Sequence, residues 1–380
     1  MYDRVLQADL LGVSGLILGP VLAADPSDGG LVDALRVDPR LGEEQDLRAA
    51  VLGFKYEGLK VLMEASFALV SRQHPDVARA LLGGPDSPEG RLFDIDWDAP
   101  GGPRPRPADG AGQLVRLNQS SDEAVEFAAT AMLHWLSRGV DGFSLSSASA
   151  VPPEFWRRAL ARTRELFPYQ WVLADFGRGD LVDLVERSTV DSAMQFDLRD
   201  GIVTFFSDRN LRRLDRVIEQ HNRCLESFVP QTFLTLPGEP SITRTLGEDN
   251  ARQALALLLF LGGAPSVDSG YKLPGITPPT HPILPWQRAS FGPRISGTSE
   301  SFPAIQWSLL EKRDKLRGGR QWRSLERSRA ERLHLSDTYA VYQLRGEHPD
   351  VFLEIRVGRT VSVQVRAHSS MSGSDKLIWG

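Results

Sequence analysis

The feature that most constrains this chain is a rhythm. From Leu11 to about Gly270, short apolar runs alternate with stretches at helical spacing, the pattern of βα units laying down a parallel barrel. Strands are expected at Gly15 to Gly19, Lys60 to Ser66, Asp141 to Ser146, Trp171 to Asp175, Ser192 to Phe196, Thr232 to Leu236 and Ala264 to Gly270. The best-marked helix precedes the third of these. Ser120 and Glu123 have capping-box spacing, Val125, Ala128, Ala129, Met132, Trp135 and Leu136 form one apolar stripe, and Gly139 supplies the stop. From His334 onward the period changes to two, as in Tyr339 to Tyr342, Val351 to Ile355 and Val361 to Val365, which predicts antiparallel strands. The expectation is an α/β (β/α)8 barrel over residues 1–332 and a small β domain over 333–380. The Pro- and Gly-rich connection at about 68–119 is expected to be an exposed, largely irregular insertion.

Composition narrows the function classes. With 380 residues the chain can bury a barrel-sized core. A net charge of -5 lacks the basic excess that a phosphate-binding surface needs. One cysteine, Cys224, excludes an internal disulfide framework and reads as a small buried apolar residue. Arg4, the run Leu10 to Ala24 and the tail Leu22-Ala23-Ala24 have the outline of a signal peptide. Asp3 and Asp9 favour an amphipathic helix over Val5, Leu6, Leu10 and Leu11, ended by Gly12. No apolar run is long enough to cross a bilayer.

Cofactor signatures are missing from the sequence. Asp94-Ile95-Asp96-Trp97-Asp98 opens like a calcium loop, but Ala99 stands at the glycine position and Pro105 at the closing glutamate. The seven histidines show no metal-binding pair, and there is no phosphate loop or dinucleotide fingerprint, so no cofactor or metal is expected. Asn118-Gln119-Ser120 is a glycosylation sequon in a stretch expected to be exposed. Leu273 to Pro303 is Pro-rich, Phe302 to Leu316 resumes helical spacing, and the Arg-rich run Arg317 to Arg332 reads as a solvated face in preference to a partner or membrane surface.

Gly139-Val140-Asp141-Gly142-Phe143-Ser144-Leu145-Ser146 resembles a barrel strand of the α-amylase superfamily of glycoside hydrolases. The resemblance implies that Ser144 stands where the family has an orienting arginine and Ser146 where it has the aspartate nucleophile. Retaining glycosidases need two carboxyls about 5 to 5.5 Å apart, and a serine with no base beside it does not replace an ionised carboxylate. Asp175, ending Trp171-Val172-Leu173-Ala174-Asp175, matches the general acid glutamate but is one methylene shorter. Its bland reading is a solvated or ion-paired carboxylate at a strand end. Glu64 matches an aspartate of the family, and Ala68-Leu69 its substrate-binding Asn-His pair. Thr232 to Pro240 has neither His nor Asp where an Asn-His-Asp triplet is expected.

The combination of a kept frame with lost polar groups resembles the heavy-chain subunits of heteromeric amino-acid transporters. It is carried by Leu16-Ile17-Leu18-Gly19-Pro20, Leu35 to Gly42, Gly58 to Leu62, Gly139 to Phe143, Leu259 to Pro265 and Leu284-Pro285-Trp286. The resemblance implies a pseudoenzyme, with catalytic residues none and Ser144, Ser146, Asp175, Glu64, Ala68 and Leu69 as vestigial positions. It further implies a glycoprotein modified at Asn118, on the extracellular side of the plasma membrane, partnered by a multi-pass light-chain transporter and by adhesion receptors. The family's tail, membrane helix and linking cysteine have no match here, and Met1 falls where the helix after a first strand is expected. The chain is therefore expected to be a fragment, isoform or incomplete gene model, prone to aggregate through an open strand edge. The alternative is a divergent glycoside hydrolase or transglycosylase relying on Asp175 and Glu64. A sugar-binding barrel without catalysis is a third reading, for which Ala68, Leu69 and Ser146 offer little grip.

Overall fold

The computed structural model describes residues 13–107, 114–267, 309, 313, 323–346, 350–369 and 374–379. The expected helix over Val5 to Leu11, the stretch from Leu273 to Pro303 and nearly all of Phe302 to Leu316 lie outside them. By internal contacts the chain divides after Ala193 into two units.

The first unit contains β1 (Gly15–Leu18), β2 (Leu22–Ala24), β3 (Leu31–Val37), α1 (Glu44–Tyr56), β4 (Lys60–Ala65), β5 (Leu69–Val70), α2 (Pro75–Gly83), α3 (Pro88–Leu92), β6 (Ile95–Asp96), β7 (Arg104–Pro105), β8 (Val115–Arg116), α4 (Asp122–Leu136), β9 (Gly142–Leu145), α5 (Pro153–Leu166), β10 (Trp171–Ala174), α6 (Leu181–Ser188) and β11 (Ser192–Ala193). Strands β1-β4-β9-β10-β11 lie side by side in that order, all parallel. The five strands expected from sequence in this region are all present, each shorter at its carboxyl end than the apolar run suggested.

Period two decides what each strand offers. Met63, Phe143 and Val172 are in register and fully buried, as are Ala65, Leu145 and Ala174. The alternate positions Glu64, Ser144 and Leu173 form a row on the opposite face. Gly142 is required where it stands, because a Cβ there would lie 1.8 Å from the Trp171 carbonyl oxygen.

Two aspartates fasten the amino ends of these strands. Asp141 Oδ2 accepts the Val61 N–H at 2.9 Å, with Lys55 and Lys60 each 3.3 Å from its Oδ1. Asp191 Oδ2 accepts the Val172 N–H at 2.8 Å and pairs with Arg164 at 3.0 Å. Each carboxylate thus satisfies a donor of the strand one place earlier in the sheet.

Several local expectations are corrected. Leu22 to Ala24, which the sequence did not mark as a strand, is β2 of a small sheet ordered β2-β3-β5-β8. The connection from 68 to 119 is not irregular throughout: it carries α2, α3, the β6/β7 pair and β5/β8 and buries Ala68, Leu69, Leu92, Phe93, Val115 and Leu117, while Pro100 to Pro103 is an exposed turn as expected. Pro75 and Pro88 start α2 and α3, capped by His74 and Ser87, whereas Pro100 and Pro103 lie in the exposed turn. The cap of α4 is Ser121, one residue later than expected, whose Oγ accepts the Ala124 N–H at 3.1 Å. All six residues of its apolar stripe are buried.

The second unit contains α7 (Phe196–Asp208), α8 (Leu211–Ser227), β12 (Gln231–Thr232), α9 (Ile242–Leu246), α10 (Glu248–Phe260), β13 (Ala264–Pro265), α11 (Arg323–Glu326), and β14 (Arg329–Leu335), β15 (Tyr339–Arg345), β16 (Val351–Val357), β17 (Val361–Ser369) and β18 (Ser374–Trp379). β12 and β13 pair in parallel, and β14 to β18 form an antiparallel meander. Leu214, Ile218, Leu255, Leu258, Tyr342, Leu353 and Val363 belong to one core shared by helices and meander. Asn222 bonds both the N–H and C=O of Ala330, and Gln253 accepts the Val363 N–H at 2.7 Å. The Arg-rich run is also corrected in part: Arg329 pairs with Glu226, and Arg332 with Asp215 and Glu219. These arginines neutralise α8 rather than standing free in solvent. Cys224 is buried, as its type suggested.

Candidate active site

The carboxyl ends of the parallel strands bring together Glu64 on β4, Ser144 on β9 and Asp175 just beyond β10. Glu64, Ser144 and Leu173 are in register. The ladder continues one step further, since Ser146 N–H donates to the Ala65 carbonyl and Asp175 N–H to that of Leu145. Alternation therefore sets Ser66, Ser146 and Asp175 in a second row on the same face as Glu64, nearer the strand ends.

Glu64 and Asp175 share an electrostatic character. Burial pushes the Glu64 carboxyl up from its ordinary range, and the charge of Asp175 pushes it further. Burial also raises Asp175, while the Gly177 N–H, 2.9 Å from its Oδ1, holds it partway back. No cation pairs with either carboxyl among the described residues. Asp175 is half-buried at its strand end, and no ion pair accounts for it among the described residues. Carboxyls that stay neutral more readily than usual, at the carboxyl ends of parallel strands, suit proton transfer near neutral pH.

The other expected positions divide. Ser144 is buried, and Ser146 is half-buried at the strand end. Ser147 follows with φ +55°, a left-handed turn into the helical turn Ala148–Ala150. Ala68, just before β5, and Leu69, within it, are both buried and offer no surface for a sugar. Asn118 is half-buried with its Oδ1 on the Ser120 N–H, less open than the sequon suggested. No cluster of three metal-ligating side chains occurs among the described residues. Sequence reasoning passed over Ser66, whose Oγ is enclosed without a hydrogen-bond partner. Its signal was simple alternation from Glu64.

A parallel α/β sheet with two half-buried carboxyls at its carboxyl ends has the layout of the site-bearing face of a (β/α)8 barrel. The comparisons agree on the fold: it is an amylase-like (β/α)8 barrel with a C-terminal antiparallel β domain. The solved cyclic alpha-maltosyl-(1→6)-maltose hydrolase of Arthrobacter globiformis matches with a TM-score of 0.75 at 19% identity, over 94% of this chain and 81% of that one. A cyclomaltodextrinase of Geobacillus thermopakistaniensis is 24% identical over 207 residues, 53% of this chain and 35% of the relative. A maltogenic alpha-amylase of Bacillus acidopullulyticus is 23% identical over 281 residues, 70% of this chain and 47% of the relative. The chain thus spans about a third to a half of the length of these curated relatives. No family model matches it.

These relatives overturn the transporter heavy-chain expectation. They are named enzymes, not transporter subunits. The reading as a non-enzyme falls with it, as do the light-chain partner, the adhesion receptors and the plasma-membrane placement. Among the described residues no helix is long and apolar enough to cross a membrane. The physical reason is that the motifs carrying the resemblance, such as Leu16 to Pro20 and Gly139 to Phe143, are strand and turn positions of the barrel frame. They report packing, which enzymes and non-enzymes of one fold share.

Proposed function

We propose that this chain is a glycoside hydrolase of the α-amylase type acting on α-linked glucose oligomers, with Glu64 and Asp175 as its carboxyl pair. The observation that carries the reading is the pair itself, two half-buried carboxyls that burial pushes up from their ordinary range and that no cation pairs with among the described residues. The names of the relatives supply the substrate class: cyclomaltodextrins and maltose-forming α-glucans. In this reading residues 1–332 are the barrel domain and 333–380 the small β domain.

The two environments assign the roles. Glu64, raised by burial and by its neighbour's charge, holds a proton and gives it to the glycosidic oxygen. Asp175, whose carboxylate accepts the Gly177 N–H, takes the charged role and works on the opposite side of the sugar. Ser146 leaves the usual nucleophile position without a carboxylate, so the pair is shifted onto β4 and β10. The test is hydrolysis of β-cyclodextrin and maltotriose by the full chain, followed by sugar analysis. Turnover that falls at least a hundredfold in Asp175→Asn and in Glu64→Gln is expected. Turnover unchanged by both substitutions would reject the assignment.

A further inference from the structure

We propose that His74 is an acid-released latch: uncharged, it caps α2 and seats the turn before it, and protonation frees the start of α2 while the parallel sheet stays closed. The inference is independent of the hydrolase reading and concerns where this one ring sits. Pro75 is the first residue of α2 and has no N–H to offer, so Asp76 supplies the first open donor of the helix. His74 Nδ1 accepts that N–H at 3.2 Å. An imidazole nitrogen accepts a hydrogen bond only while it carries no proton, so the ring is neutral with its proton on Nε2. Serine or asparagine would cap the helix without titrating; histidine ties the cap to pH.

The surroundings hold the ring in place. His74 is 5% exposed, and the Phe93 and Phe127 rings meet it at 64° and 72° with centroids 6.0 and 5.9 Å away. Its backbone N–H donates to the Ser71 carbonyl at 3.0 Å. Ser71 Oγ in turn donates to Asp28 Oδ2 at 2.9 Å, so one turn ties α2 to the loop between β2 and β3. Charged groups reach the imidazole from two elements: Asp33 on β3 favours its proton, and Arg79 on α2 disfavours it. Asp76 Oδ2 is 4.0 Å from Nδ1, but that carboxylate is paired with Arg79. On its other sides, α4 and the residue after α3 present the Phe127 and Phe93 rings. Burial dominates and holds the imidazole down from 6.5 to about 4.

Protonation undoes this arrangement in three ways. Nδ1 turns from acceptor to donor and faces the Asp76 N–H, so α2 loses its cap. A positive charge is set at a helix amino end, where the dipole opposes it. That charge also lies in a site nearly closed to water. All three are relieved when the turn at 71–74 swings out and exposes the ring. Because the folded value is depressed, the contribution of the latch is full above the ordinary value of 6.5 and is lost as pH falls toward 4. Between pH 7 and 5 the opening equilibrium should rise about 20-fold.

Amide hydrogen exchange of the full chain at pH 7, 6 and 5, corrected for the intrinsic exchange rate, tests this. Peptides covering residues 71–83 are expected to lose protection about 20-fold between pH 7 and 5, whereas peptides covering β9 and β10 keep theirs. His74→Asn retains a capping oxygen without a titrating ring, so its 71–83 peptides should hold the same protection at each pH. Equal loss in the parent and in His74→Asn, or no loss in the parent, would overturn the latch. A second reading needs no variant. Followed by NMR among the seven histidines of the chain, the His74 ring should titrate below the ordinary histidine range, in step with the Asp76 amide. Titration within the ordinary range with the Asp76 amide unmoved would also overturn it.

Discussion

The two ends of the first unit's parallel sheet use carboxyl groups in opposite ways. At the amino ends, Asp141 and Asp191 accept backbone N–H groups of neighbouring strands and face Lys55, Lys60 and Arg164. At the carboxyl ends, Glu64 senses the charge of Asp175, and neither carboxyl has a cation among the described residues. Burial raises Asp191 as well, but Arg164 and the Val172 N–H draw it back. The difference teaches that burial alone does not mark a reactive carboxyl. What separates the two ends is whether the surroundings complete the charge or leave it open.

The sharpest way to break the comparison is to neutralise the open end. Asp175→Asn and Glu64→Gln are each expected to lower turnover by about 10²- to 10⁴-fold with the fold kept, as circular dichroism would verify. Neutralising the closed end should reverse the pattern. Asp141→Ala strands the Val61 N–H and is expected to cost about 1–3 kcal/mol in urea unfolding, with turnover per folded molecule unchanged. A large loss of turnover in that folded variant would erase the distinction.

Stability against pH sharpens it further. Glu64 and Asp175 titrate above their ordinary values of 4.5 and 3.8 in the folded chain. Their contribution to stability is therefore full below those values and is lost as pH rises through the raised ones. At pH 7, Glu64→Gln and Asp175→Asn should each unfold later than the parent, by about 0.5–2 kcal/mol, and the advantage should vanish in acid. A variant less stable than the parent at pH 7 would mean that the carboxyl is structural. The smallest effect is on one proton. Removing the Asp175 charge takes away one cause of the raised Glu64 value, so Asp175→Asn should shift Glu64 titration to lower pH in carboxyl carbon NMR. No shift would show that the two groups do not sense each other.

Much of the frame was legible because packing writes itself in periods. The runs at Lys60 to Ser66 and Trp171 to Asp175, and the stripe from Val125 to Leu136, each needed one buried face and showed it. The sheet of β2, β3, β5 and β8 was not legible. Its strands are as short as two residues, paired between segments far apart in sequence, so no window holds a period. The site was half legible. Glu64 and Asp175 were singled out by position, but Ser146 was weighed as a missing nucleophile, and which carboxyls have cationic partners could not be seen in the sequence. Charge completion depends on Arg164, Lys55 and Lys60 meeting Asp191 and Asp141 from other segments, which spacing along one strand does not record.

The most direct test of the account is initial-rate hydrolysis of β-cyclodextrin by the full chain beside its Asp175→Asn variant. The account predicts sugar release by the parent and a loss of at least a hundredfold in the variant. Equal rates in the two, or no release by the parent, would contradict the claim that the open carboxyl pair does glycoside chemistry.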